Sequence, residues 1–148
     1  MNADERISVL TMFQTLKAKT SRLVDPVVQA EWLTLLQACV LSDLSQQDGA
    51  VGDISDLAVM DQANASSLCK KMEREGFLTR TRRASDRRVV ILSLTPKGRE
   101  TAERLQARLN YYLELLNALP ADAKEELIRG LRAANQMLDY LFEQTKGD

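Results

Sequence analysis

The spacing of apolar residues along the chain changes twice, and this change constrains the fold more than any other feature. From residue 6 to 24 apolar side chains recur every three or four positions, which is the period of an amphipathic helix. After Gly76 the period becomes two, within "FLTRTRRASDRRVVILSLT", and a helical period returns at Pro96. The sequence therefore predicts a mainly α-helical chain with one small β-hairpin in its middle.

Two short helical segments precede the hairpin. Residues 54–60 have apolar side chains at helical spacing, and Asp53 is the predicted N-cap of this helix. Residues 64–76 resume the helical pattern after a polar turn, and Gly76 is placed to end that helix as its C-terminal cap. Two helices joined by a short polar turn predict a helix-turn-helix.

Longer helices flank this module and carry apolar seams. The first seam, over 6–24, is interrupted at Pro26, and a heptad seam is predicted over 121–145. A helix capped by Thr95, with Pro96 at its first position, carries the third seam. The seams pack either on each other or on their copies in a symmetric dimer, and the dimer is favoured because the module is too small to cover them. A further helix is predicted over 31–46, with an apolar side made of Trp32, Leu35, Leu36, Cys39, Val40 and Leu44.

The hairpin region is also where basic residues concentrate. Residues 64–99 hold ten lysines and arginines against three acidic residues, a balance of +7, whereas the remaining residues sum to −8. A basic middle between acidic flanks is typical of a nucleic-acid contact surface. A solvated charged face is the alternative, and it is disfavoured because the charges lie on a predicted helix followed by a predicted hairpin.

Several classes of function are excluded by the residues that the sequence lacks. The chain has no histidine, so Ser-His-Asp and Cys-His catalysis and the usual zinc sites are excluded. It has neither a glycine-rich phosphate loop nor paired carboxylates in an apolar context, so we expect no enzymatic activity, cofactor or metal. It has no apolar run of about 18 residues and no signal-peptide pattern, so we expect a cytoplasmic protein with no membrane partner.

Residues 54–98 resemble the winged helix-turn-helix of the MarR family of bacterial transcription regulators. The resemblance rests on "DLA" at 56–58, Ser66, "MEREGFLTR", "DRR" at 86–88 and "LTPKG", with "WLTLLQACVLSDL" upstream. It implies a dimeric, sequence-specific DNA-binding regulator, more often a repressor, that binds a pseudo-palindromic operator. The implied domains are an N-terminal dimerisation helix at 1–30, the winged helix-turn-helix at 31–98 and C-terminal dimerisation helices at 99–148.

The resemblance also assigns roles to individual residues. The recognition helix is implied at about 63–75, for the major groove, and the hairpin is the wing, for the minor groove. Asp86 is expected to brace the wing tip by pairing with Arg88 or Arg83, and whether Arg80, Arg82 and Arg83 also contact phosphate is left open. The residues implied in DNA contact are Asn64, Ser66, Ser67, Lys70, Lys71, Arg74, Arg83, Arg87 and Arg88. For the two serines the alternative is helix-start chemistry.

A small aromatic or phenolic effector is a further implication of the resemblance. Its pocket is expected to be lined by Phe13, Trp32, Leu36, Tyr111 and Tyr112, unless these are ordinary core residues. One alternative function is redox sensing through Cys39 or Cys69, disfavoured because both fall on predicted buried faces. The other is a winged-helix protein-interaction module without DNA binding, disfavoured because its recognition helix would expose acidic or apolar residues.

Overall fold

The computed structural model describes residues 3–145, which form six α-helices and three short β-strands. The chain divides into two compact units, the first extending to Leu109 and the second beginning at Asn110. The predicted dimerisation segments at 1–30 and 99–148 extend beyond the described residues at both ends. In chain order the elements are α1 (Ala3–Gln29), α2 (Leu35–Gln46), β1 (Gly49–Ala50), α3 (Val51–Leu57), α4 (Gln62–Arg74), β2 (Leu78–Arg82), β3 (Val90–Leu94), α5 (Pro96–Asn117) and α6 (Ala121–Thr145).

The predicted hairpin is confirmed as β2 and β3, which pair antiparallel from Leu78 opposite Leu94 to Arg82 opposite Val90. Leu92 is fully buried, and Val90 and Leu94 pack partly buried against the core, as the period of two indicates. The sequence did not predict β1, whose two residues pair with the other edge of β3. The result is a three-stranded antiparallel sheet in the order β1-β3-β2.

The core of the first unit lies where α2, the helix-turn-helix, the sheet and α5 meet. Its fully buried side chains come from each of these elements, and burying one of them contributes about 1.5–3 kcal/mol. This shared core holds the hairpin and the helix-turn-helix as one module. The largest fully buried side chains are Leu41, Leu44, Ile54, Met72, Leu78, Leu92, Leu105, Val40 and Cys69.

α1 is longer than the sequence indicated, and the prediction that Pro26 interrupts it was wrong. Proline removes a backbone hydrogen bond and costs about 3 kcal/mol or more in a helix interior. Here Pro26 lies in the last turn of α1, and the two residues after it, Val27 and Val28, are buried in the core. Their burial offsets the lost hydrogen bond, and the helix continues to Gln29.

α2 begins four residues later than predicted. The Thr34 hydroxyl accepts the Gln37 N–H at 3.3 Å, and Gln37 Oε1 accepts the Thr34 N–H at 2.9 Å, which closes a capping box. Trp32 therefore lies in a turn, at φ 58°, with 95% of its surface exposed. Its predicted place on the apolar side of the helix was wrong, because the capping geometry outweighs the apolar period. Leu35 and Leu36 are also exposed.

α3 begins three residues before its predicted start, and Asp53 is not its N-cap. Ala50 takes the N-cap position, and Asp53 in the first turn accepts the Ala50 N–H at 2.6 Å. α3 and α4 form the predicted helix-turn-helix pair. The turn between them contains Val59 in a left-handed conformation, at φ 49° and 73% exposed.

The predicted start of α5 is confirmed. Pro96 is its first residue, and the Thr95 hydroxyl accepts the Gly98 N–H at 3.0 Å. In the second unit, Lys124 Nζ donates to the Asn117 carbonyl at 3.0 Å across the turn that precedes α6. None of the residues that the structure describes in α6 is buried, and its seam residues Leu127 and Leu131 are 44% and 49% exposed.

Candidate nucleic-acid interface

α4 has one face in the core and the opposite face in solvent. Ala65, Cys69 and Met72 are fully buried and lie on the core face. The residues predicted to contact DNA occupy the other positions of the helix. Five of them, Asn64, Ser67, Lys70, Lys71 and Arg74, are exposed, and Ser66 is half-buried.

Both ends of α4 are capped. At its start Asp61 is the N-cap, and its Oδ1 accepts the Asn64 N–H at 2.8 Å. At its end Gly76 adopts φ 80°, and the N–H groups of Gly76 and Phe77 donate to carbonyls of the last helical turn at 3.0 and 2.9 Å. This left-handed cap confirms the predicted role of Gly76. The helix that carries the candidate contacts is thus stabilised at both termini.

Two of the exposed α4 side chains already have partners within the chain. Asn64 Nδ2 donates to Asp61 Oδ2 at 2.7 Å, and Lys71 Nζ lies 3.8 Å from Glu75 Oε1. Within the part of the chain that the structure describes, Lys70 and Arg74 form no ion pair. These two cations therefore present their full charge to solvent.

The wing tip is organised around Asp86. The Arg88 backbone N–H donates to Asp86 Oδ1 at 3.0 Å, and Arg88 Nε lies 3.2 Å from the same oxygen. Hydrogen bonds from the side chain and backbone of Arg88, with a smaller contribution from the charge of Arg83, hold the pKa of Asp86 below its usual value. The sequence left Arg83 and Arg88 open as partners of Asp86, and in the structure Asp86 pairs with Arg88.

The remaining arginines of the hairpin differ in exposure. Arg87 is exposed and forms no ion pair among residues 3–145, while the Arg88 side chain stays 92% exposed beside Asp86. Arg80 is different: its side chain is only 18% exposed, and Nη1 lies 3.8 Å from Glu73 Oε2 on α4. Arg80 therefore joins β2 to α4, whereas Arg82 and Arg83 are exposed.

A polar junction that the sequence did not predict surrounds the C-terminal end of α4. Gln37 Nε2 donates to Glu75 Oε2 at 2.7 Å, and Gln37 is only 3% exposed. Lys97 Nζ donates to the Glu75 carbonyl at 2.6 Å and lies 4.4 Å from the centroid of the Phe77 ring. The sequence offers one signal for this junction, because the spacing of Thr34 and Gln37 matches a capping box. That spacing does not indicate Glu75 as the second partner of Gln37.

A second unpredicted contact ties the α1–α2 turn to α5. Glu31 Oε2 lies 3.0 Å from Arg104 Nε, and Glu31 Oε1 lies 3.4 Å from Arg108 Nε. The Glu31 side chain is 8% exposed. The two arginines are four residues apart on α5, so one nearly buried carboxylate spans a full turn of that helix.

The residues predicted to line an effector pocket are divided between the two units. In the first unit Trp32 is 95% exposed, Leu36 is 40% exposed and Phe13 is half-buried. In the second unit the rings of Tyr111 and Tyr112 meet edge to face, with centroids 5.5 Å apart. The effector pocket stays a prediction.

The two cysteines differ in burial: Cys69 is fully buried, whereas Cys39 is half-buried. Burial raises the pKa of the Cys39 thiol and of the Cys69 thiol, and for Cys69 the charge of Arg80 offsets part of that rise. A raised pKa lowers the fraction of reactive thiolate at neutral pH. The described residues contain no group of three or more histidine, cysteine, aspartate or glutamate side chains suited to hold a metal ion. None of the helices in the described part of the chain combines the length and the hydropathy that a bilayer span requires.

Comparison with known proteins finds similarity to transcriptional regulators. The family described as "Transcriptional regulator SarA/Rot" matches residues 22–105, more than half of the chain. The transcriptional activatory protein BadR of Rhodopseudomonas palustris is 35% identical over 95 residues, which are 60% of this chain and 54% of BadR. The chain spans about half the length of the curated relatives that it matches.

Solved structures share the fold over nearly the whole chain. AbsC, a MarR family transcriptional regulator from Streptomyces coelicolor, is similar with a TM-score of 0.76 and 20% identity, over 94% of this chain and 97% of AbsC. A mutant MarR from E. coli complexed with operator DNA is similar with a TM-score of 0.75 and 19% identity, over 90% of this chain and 99% of that chain. At such low identity these matches show the fold.

Proposed function

Because the chain belongs to the SarA/Rot family of transcriptional regulators, we propose that it binds double-stranded DNA in a sequence-specific manner as a homodimer. The family membership, together with the fold, confirms the resemblance to MarR-type winged-helix regulators. In the proposed complex α4 enters the major groove, and the β2–β3 hairpin enters the adjacent minor groove. The family and the structural neighbours are regulators rather than enzymes.

One observation carries this proposal: exposed cations lie both on the solvent face of α4 and at the wing tip. Lys70 and Arg74 on the helix, with Arg87 and Arg88 at the tip, are exposed within the segment of net charge +7. Phosphate neutralisation by such cations supplies most non-specific affinity for DNA. Arginines at a narrow minor groove meet an enhanced negative potential, which suits the tip.

We propose that the first turns of α4 recognise the base sequence of the DNA. Ser67 is exposed and lies one turn after the helix begins, where hydroxyl and amide side chains reach base edges in the major groove. Asn64 and Ser66 lie on the same early part of the helix. The proposed specificity therefore comes from α4, while the wing and the later lysines position the protein on the duplex.

Exposed apolar seams support the homodimer. Soluble monomers rarely expose contiguous apolar patches larger than a few hundred Å², and a two-fold axis would bury the seams against their copies. Two copies of α4 would then meet half-sites about one DNA turn, or 34–36 Å, apart. The exposed apolar residues of α1, α5 and α6 include Leu10, Leu16, Leu23, Leu113, Leu116, Leu127, Leu131, Leu138 and Leu141.

The proposal extends to regulation by a small aromatic or phenolic ligand that releases a repressor from DNA. In the first unit the exposed surfaces of Trp32 and Leu36 are available to such a ligand. A thermal-shift screen tests this, because a ligand of the native state raises the melting temperature. A hit should also weaken DNA binding and lose its effect in Trp32→Ala. A hit that leaves DNA affinity unchanged would contradict release.

The central test compares DNA affinity at several salt concentrations. Fluorescence anisotropy is measured with a labelled fragment from upstream of the protein's own gene and with a scrambled fragment of equal length. Arg87→Ala with Arg88→Ala should lower the magnitude of the log–log salt slope by about two, one per lost contact. Arg129→Ala with Arg132→Ala, on α6, removes the same charge and should leave the slope unchanged.

Three results would count against the proposal. A wing variant with wild-type affinity and slope would remove the DNA role of the tip. A wild-type protein that binds the upstream and scrambled fragments equally would contradict sequence-specific regulation. Binding to neither fragment would favour a winged helix that docks on another protein.

A further inference from the structure

Gln37 is a buried amide whose side chain is held at both of its polar atoms. Its Oε1 accepts the Thr34 N–H at 2.9 Å, and its Nε2 donates to Glu75 Oε2 at 2.7 Å. The residue is 3% exposed. A hydrogen bond to a carboxylate is about twice as strong as one between neutral groups. The Glu75 side chain that accepts this one is 37% exposed.

Glu75 is the C-cap residue of α4, between Arg74, the last helical residue, and the left-handed Gly76. Its backbone N–H closes the last helical turn on the Lys71 carbonyl at 3.0 Å, and its own carbonyl accepts from Lys97 Nζ. Its carboxylate lies between Gln37 on α2 and Lys71 on α4. The C-terminal end of α4 is therefore attached to α2 through one specific side-chain contact.

The turn that carries Thr34 is itself anchored. Glu31, three residues earlier, bridges Arg104 and Arg108 on α5 at 3.0 and 3.4 Å. The acceptor side of Gln37 is thus attached to a turn that is fixed to α5. Gln37 acts as a short rigid link, with one end on that turn and the other on the end of α4.

From this geometry we infer that Gln37 is a positioning residue for the recognition helix α4, an inference that rests on the proposed DNA binding. The core holds the buried face of α4, and Arg80 and Lys97 contact its C-terminal end from β2 and α5. The link through Glu75 adds the attachment of that end to α2. Binding groups need to be held to within about 0.5 Å of their productive geometry. Loss of the link lowers the preference for specific DNA more than it lowers phosphate-driven affinity.

Two substitutions at Glu75 isolate the hydrogen bond from the charge. Glu75→Gln and Glu75→Ala change the net charge equally, but only glutamine still accepts from Gln37. Glu75→Ala should bind the specific fragment about three- to tenfold more weakly than Glu75→Gln, as expected for one lost hydrogen bond. The salt slopes should be equal, because neither variant removes a phosphate contact. Binding to the scrambled fragment should be equal as well.

A swapped pair supplies the rescue. Gln37→Glu places two carboxylates against each other and should weaken specific binding about tenfold or more. Gln37→Glu with Glu75→Gln restores a donor opposite an acceptor, keeps an acceptor for the Thr34 N–H, and leaves the net charge unchanged. The double variant should return to within about threefold of the wild-type affinity, since the contact is remade.

Amide hydrogen exchange on the protein alone tests the link without DNA. The amides of Gly76 and Phe77, after the end of α4, should have lower protection factors in Glu75→Ala than in Glu75→Gln. Equal exchange, or equal specific affinity in correctly folded Glu75→Ala and Glu75→Gln, overturns the inference. If the wild-type protein shows no specific DNA binding, the proposed function fails, and the exchange comparison alone decides whether Gln37 holds the end of α4.

Discussion

Replacing Gly98 by alanine should destabilise the first unit, although alanine favours helices. A Cβ at position 98 would lie 1.9 Å from the carbonyl oxygen of Phe77 and 2.9 Å from its carbonyl carbon. An ordinary contact between carbon and oxygen is about 3.3 Å, so the carbonyl would have to move by about 1.4 Å. That carbonyl accepts the Thr95 N–H at 3.1 Å and immediately precedes β2, so it does not rotate away as a side chain would.

The magnitude follows from three contributions. Overpacking costs about 1–3 kcal/mol, and losing the bond from Thr95 costs about 1 kcal/mol. The higher helix propensity of alanine relative to glycine stabilises the variant by about 1 kcal/mol. The free energy of unfolding should therefore fall by about 1–3 kcal/mol. Gly130→Ala, in α6, is the matched control, because no heavy atom lies within 4 Å of its added Cβ. It should stabilise by about 0.5–1 kcal/mol.

Urea unfolding followed by circular dichroism, at one fixed protein concentration, measures both variants. The midpoint should fall for Gly98→Ala and rise for Gly130→Ala, with the m-value unchanged. The melting temperature should move by about 2–4 °C per kcal/mol for a chain of this size. If Gly98→Ala is as stable as the wild type, or if both variants shift in the same direction, the close approach of Gly98 to Phe77 does not constrain the fold.

Two further predictions concern the left-handed turn and the wing tip. Val59→Gly should raise the free energy of unfolding by about 0.5–1 kcal/mol, because an exposed β-branched residue at φ 49° is strained and glycine is not; a lower melting temperature would contradict this. Asp86 should titrate by NMR below the usual midpoint of about 3.9, and Arg88→Ala should return it toward that value. Since the pKa of Asp86 is depressed in the folded state, its contribution to folding stability is present above the unfolded pKa. That contribution is lost as the pH falls through the folded pKa. A midpoint at or above the unfolded value would refute the pairing.

Features whose signals lie within a few residues were predictable from the sequence. The period of two from Leu78 to Leu94 predicted the hairpin, and Gly76 predicted the end of α4. The start of α2 was not predictable in this way. The apolar period runs through Trp32, whereas the capping box of Thr34 determines where the helix begins. β1 depends on pairing with residues about forty positions later, and two residues carry no local signal for it.

In the candidate site, too, some features were predictable from the sequence and others were not. The exposed face of α4 followed from the spacing of Ala65, Cys69 and Met72, which marks the face in the core. The partner of Asp86 did not follow, because Arg83 and Arg88 are both close in sequence and only the geometry of the tip separates them. The contact between Gln37 and Glu75 joins positions 38 residues apart, so no pattern of neighbours indicates it.

The cap at the start of α4 limits where on that helix DNA can be attracted. A helix N-terminus ordinarily draws phosphate, through its unpaired N–H groups and the positive end of its dipole. In α4 that place is taken by the Asp61 carboxylate, which accepts the Asn64 N–H and adds a negative charge of its own. A phosphate would therefore be repelled from the first turn of α4, and the cations proposed to attract it, Lys70, Lys71 and Arg74, all lie in the second half of the helix. In the proposed complex, attraction to the backbone is greatest at the far end of α4, and the first turns face the neutral edges of the bases.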